Sequence, residues 1–84
     1  MNIRDIQSLV VEELSKAQAH YPPFNTEHEG YAILLEEVDE LWDEIKRKQS
    51  KRDKEKIVKE AIQVAAMAMR FVVDLYPDYG EVKG

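Results

Sequence analysis

Eight acidic residues and no lysine or arginine lie between Thr26 and Ile45 of this 84-residue chain, and the run EEVDELWDE from Glu36 to Glu44 holds most of them. On a helix Glu29, Glu36, Glu37, Glu40 and Glu44 fall on one stripe at spacings of three, four or seven residues, where like charges repel at every turn. A stripe kept only for solvation normally carries interspersed lysine. Carboxylates grouped in this way suit a hard divalent cation, and Mg²⁺ in particular binds through a few of them while keeping waters and phosphate oxygens in its shell. From Lys46 to Lys59 the sign reverses, with eight lysines or arginines against two acids, so a phosphate held by such a cation would find basic partners nearby. The plainer alternative is a solvated acidic face followed by a charged hinge.

A second group of polar residues interrupts the most apolar part of the chain. Glu60, Gln63, Met67, Arg70, Phe71 and Asp74 project from one side of a helix, within about a third of its circumference. A buried charge without a partner costs several kcal/mol, about what a small domain can spare, so the seam must be paired or bound. Arg70 can pair with Asp74 four residues on, or with a glutamate of the acidic run. Neither pairing accounts for Glu60, which against an acidic helix calls for a cation between them.

Three helices are needed to position these groups, at about residues 2–20, 26–48 and 53–75, with a tail over 77–84. Asn2 caps the first, Asp5 favours its opening turn, and Ile3, Ile6, Val10, Leu14 and Ala17 recur along one face. The consecutive prolines Pro22 and Pro23 stop it. Thr26 with Glu29 forms a T-x-x-E capping box for the second helix, and Ser50 or Asp53 caps the third before Pro77 and Gly80 end the order. Apolar residues from Val58 to Leu75 cover nearly the whole circumference of that third helix, more than two companion helices can bury. The fold class is therefore all-α, a three-helix subunit that assembles into an oligomeric helical bundle. Ala61, Ala65, Ala66 and Ala68 would let helices approach closely in such a homo-oligomer.

Glu36-Glu37-x-x-Glu40 followed by Glu60 in Glu60-x-x-Gln63 resembles the EExxE…ExxD signature of the MazG-like, all-α nucleoside triphosphate pyrophosphohydrolases, which include dimeric dUTPases. The resemblance runs from about Glu29 to Asp74, and HEGYAILLEEVDELW and EAIQVAAMAMR look like the small stand-alone members. It implies a dimer or tetramer with a four-helix site, and Mg²⁺-dependent (or Mn²⁺-dependent) cleavage of nucleoside triphosphates to a monophosphate and pyrophosphate. By motif, Glu37, Glu40 and Glu60 resemble the family's metal ligands, Gln63 stands where the family has its aspartate, and Glu36 orients water or acts as a base. Lys54, Lys56 and Lys59 are the candidates for phosphate contacts. Glutamine can ligate through its carbonyl but brings no charge, so a non-catalytic helical oligomer that binds a nucleotide or a protein partner is the alternative.

His28 and His20 lack a second histidine at ligand spacing and read as surface or capping residues. Tyr21, Phe24, Tyr31 and Trp42 can stack a base, though rings of this kind more often pack in a core or between subunits. The chain has no cysteine, so thiol catalysis, a disulfide framework and thiolate zinc are excluded and a cytoplasmic location is expected. A net charge of −5 speaks against general nucleic-acid binding. No apolar stretch suggests a secretory leader or a membrane span.

Overall fold

The computed structural model describes residues 1–81. It contains helices α1 (Ile3–His20), α2 (Glu27–Ile45) and α3 (Lys54–Leu75), with one turn of 3₁₀ helix at Gln49–Lys51 between the last two. No strand occurs among the described residues, and no helix there is long and apolar enough to cross a membrane. Of the expected tail, Pro77 to Glu81 is described, and residues 82–84 lie outside the described residues.

The caps explain where each helix starts. At α1 the Asn2 side chain accepts from the Asp5 N–H at 2.9 Å and the Asp5 carboxylate accepts from the Asn2 N–H at 3.3 Å, which closes the reciprocal box. Thr26 accepts from the Glu29 N–H at 3.1 Å, but the Glu29 carboxylate turns to the Asn25 amide at 3.3 Å, so α2 has only half of its expected box. Asp53 caps α3 by accepting from the N–H groups of Glu55 and Lys56, while Ser50 falls inside the 3₁₀ turn. The end of α2 comes at Ile45 rather than near Lys48. Arg52 donates Nε–H to the Ile45 carbonyl at 2.8 Å, and that oxygen then accepts from a side chain seven residues on instead of continuing the helical ladder.

Close backbone packing joins α3 to both other helices and does not join α1 to α2. Gly30 meets Phe71 while Glu40 meets Glu60, so α2 runs antiparallel to α3. Glu13 meets Gln63 while Pro22 meets Arg70, so α1 runs parallel to it. The core is small: Val10, Leu14 and Ala17 of α1 against Ala66 and Met67 of α3, with Ile33, Leu34, Ile62 and Ala65 around them. Ile3 and Ile6 continue the α1 stripe in sequence but are exposed, because in the parallel register they lie beside the charged start of α3. Trp42, Val72 and Val73 are exposed as well, which leaves apolar surface on α2 and α3 uncovered within one chain.

Arg70 fixes the α1–α2 connection to α3. Only 5% exposed, it donates Nε–H to Asp74 at 3.2 Å and Nη2–H to the Pro22 carbonyl at 2.8 Å, and its guanidinium lies 4.0 Å from the centre of the Phe24 ring. Asp74 accepts in addition from the Phe24 N–H at 3.1 Å, so both charges are satisfied by named partners. The seam on α3 is thus split: in its C-terminal half Arg70 and Asp74 pair with each other, whereas in its N-terminal half Glu60 makes no ion pair among the described residues.

Candidate metal centre

That N-terminal half faces the acidic helix. Glu37 and Glu40 leave α2 one turn apart, and Glu60 leaves the first third of α3. Because the two helices form an antiparallel hairpin, residues about equally far from the turn meet across it. Carboxylate oxygens of Glu37, Glu40 and Glu60 all lie within 4.8 Å of one another. Glu37 and Glu60 are partly buried and Glu40 is exposed, so the trio opens to solvent on one side. One oxygen, Glu60 Oε2, is buried and has no hydrogen-bond partner.

Burial pushes the Glu37 carboxyl up to about 7, and the nearby Glu40, Glu60 and Glu36 carboxylates add to the effect. Glu60 is raised as well, first by burial and then by the neighbouring Glu40 carboxyl, with Lys59 as the opposing positive charge. Without a cation this site therefore holds protons that ordinary carboxylates would release. A hard divalent cation fits the donor set: it neutralises the repulsion, takes oxygen ligands only, and gives Glu60 Oε2 something to bind.

Beside the trio, between α1, the Tyr21–Phe24 connection, α2 and α3, lies a cavity of about 480 Å³. Glu36 and Glu37 line one part of it, Glu13 and Gln63 another, and Tyr21, Phe24 and Arg70 a third. Glu36 is exposed at this rim. Gln63 donates its Nε2–H to Glu13 Oε2 at 2.7 Å. The expected phosphate contacts are dispersed: Lys54 and Lys59 line a separate hollow of about 440 Å³ near the start of α3, and Lys56 lines neither. The basic side chains that line the cavity itself are Lys16, His20 and Arg70. Lys16 stands 3.5 Å from both Glu12 and Glu13, and these acids, Glu13 first, raise its pKa above the ordinary value. Sequence reasoning passed over Lys16 and Glu13 because α1 showed only an amphipathic pattern. No signal short of the α1–α3 register would have marked them.

No family model, curated protein or solved structure matches this chain.

Proposed function

We propose that this chain is a Mg²⁺-dependent nucleoside triphosphate pyrophosphohydrolase of the MazG-like type that works as a homo-oligomer. The observation that carries the reading is the convergence of Glu37, Glu40 and Glu60 from two helices, with a buried oxygen left unbonded, next to an open cavity. Glu37, Glu40 and Glu60 would hold the cation, which supplies polarisation of the phosphate oxygens and an activated water. Glu36, which lines the cavity, would accept the proton of a water attacking the α-phosphorus, as the bond from that phosphorus to the oxygen bridging to the β-phosphate breaks and pyrophosphate leaves. Lys16 would offer positive charge to phosphate oxygens from the α1 wall, a role expected of Lys54, Lys56 and Lys59 from their position near the start of α3. Exposed Tyr31, Trp42, Met69 and Val72 support burial against further copies, a dimer or a tetramer.

A second reading is favoured by one observation. Gln63 is neutral and its amide is tied to Glu13, which suits a non-catalytic oligomer that keeps the fold and binds a nucleotide or a protein partner. Pyrophosphate release from a panel of nucleoside and deoxynucleoside triphosphates with Mg²⁺ or Mn²⁺ separates the two. Turnover that Glu37→Gln abolishes supports the enzyme. A folded, oligomeric wild type with no turnover on any member of the panel overturns it in favour of the binding module.

A further inference from the structure

Among the described residues, the bond between Gln63 and Glu13 is the side-chain hydrogen bond that joins α1 to the polar seam of α3. Gln63 follows Glu60 by one turn, so its side chain leaves the same side of α3, about 4.5 Å further along. The pair lines the cavity that Glu36 and Glu37 line from α2. A carboxylate from a different helix therefore stands at the position where α3 itself is neutral. It is held there at 2.7 Å by Gln63, with Lys16 3.5 Å from its other oxygen. Glu13 is not one of the three carboxylates that converge.

Resting on the metal-centre reading above, we propose that Glu13, held by Gln63, is a positioning residue of that centre: it adds negative charge from α1 and orders water of the cation's shell on the cavity side. Gln63 then serves as a tether rather than a ligand. Mg²⁺ keeps several waters and binds through few carboxylates, so a carboxylate outside the ligand set still acts on it through those waters. The buried Glu60 oxygen without a partner belongs to the trio itself, and Glu37 is the member of that trio that shares the cavity with the Gln63–Glu13 pair. The charge that the motif lacks on α3 is in this way supplied across the helix interface, and docking of α1 becomes part of metal binding.

Mn²⁺ affinity, read by the loss of the free-ion electron paramagnetic resonance signal, tests this without any turnover. Glu37→Gln marks the centre itself and should lose binding. Glu13→Gln keeps an oxygen for the Gln63 amide and removes only the charge, and it should weaken Mn²⁺ by about tenfold, as loss of an outer-shell partner does. Gln63→Leu frees Glu13 and should weaken binding in the same direction, with the double variant no weaker than Glu13→Gln alone. Glu12→Gln removes the same charge from the neighbouring residue, which also meets Lys16 but does not line the cavity, and should leave affinity unchanged. Metal-free melting curves check folding, and Glu13→Ala replaces Glu13→Gln if the latter is unstable. Wild-type affinity in Glu13→Gln beside lost binding in Glu37→Gln overturns the role of Glu13 and leaves the centre standing, as does equal weakening in Glu12→Gln. Wild type without Mn²⁺ affinity overturns the centre and the role of Glu13 together.

Discussion

Replacing Glu37 by glutamine should stabilise the metal-free protein at pH 8 and leave it unchanged near pH 4.5. The carboxyl ordinarily titrates at 4.5 and in the folded protein at about 7, so across that window the folded state binds more protons than the unfolded one. Its contribution to stability is therefore fully present below about pH 4.5, is lost as pH rises through 7, and stays lost above. A shift of that size corresponds to at most about 3 kcal/mol; the group is only partly buried and its shift is linked to a neighbouring group, which reduces the figure to about 1–2 kcal/mol. Glutamine has the same shape and no charge, so it removes the repulsion at high pH while keeping the packing. For a domain of this size the gain appears as a rise in Tm of about 5–15 °C.

The assay is thermal unfolding followed by far-ultraviolet circular dichroism, in chelator, from pH 4.5 to 8.5, repeated with Mg²⁺ or Mn²⁺. Wild type should lose stability between pH 5 and 7, and Glu37→Gln should show a flatter profile. Metal should restore wild type at pH 8 by mass action, about 2.7 kcal/mol at a hundredfold excess over Kd, and should do nothing for the variant. A variant that melts with wild type at pH 8, or that keeps the full metal response, refutes the reasoning and leaves the trio a solvated face.

Arg70→Met leaves the Asp74 charge buried and the Pro22 carbonyl without its donor, and should cost about 3–5 kcal/mol, read as a fall in the urea midpoint. Gly30→Ala brings a Cβ to 2.6 Å from the Phe71 ring and 3.2 Å from Phe24; an overpacking cost of about 1–3 kcal/mol outweighs the helix-propensity gain of about 1 kcal/mol, so Tm should fall. Ala68→Glu puts a charge in the groove that Tyr31, Leu34 and Phe71 line and should turn an oligomer into monomers by sedimentation velocity, whereas a wild type already monomeric at micromolar concentration contradicts the oligomer.

The elements were readable because their signals are local. Asn2 with Asp5, the two prolines and Asp53 each act within a few residues of the boundary they set. Arg52 acts on Ile45 across the turn, and nothing in the sequence periodicity near Lys48 announces that bond. The same division holds in the site. Glu37, Glu40 and Glu60 stand out by type and spacing, and helical geometry then brings them together. Arg70 and Asp74 are legible as a pair four residues apart, but their hold on Pro22 and Phe24 spans some fifty residues. Glu13 and Lys16 depend on the parallel register of α1 and α3, a property of packing that the amphipathic pattern of α1 does not encode.

Register also explains why the trio can be lost by changes far from it. Within the single chain, close backbone packing joins α2 only to α3, so one contact line sets the heights of Glu37 and Glu40 against Glu60. On that line Gly30 lies under the Phe71 ring, where a Cβ would come to 2.6 Å from it. Counting from that pair in antiparallel order brings Glu40 to within one residue of the level of Glu60, and Glu37 to within one residue of Gln63. A slip of one residue moves each carboxylate by about 1.5 Å along the axis and turns it by about 100°, which would part the trio. An aspartate at 63 would set a second carboxylate against Glu13, which the glutamine amide now meets at 2.7 Å. A neutral amide at that level spends its hydrogen bond on Glu13 instead, so the α2–α3 seam carries the three carboxylates of Glu37, Glu40 and Glu60 without a fourth from position 63.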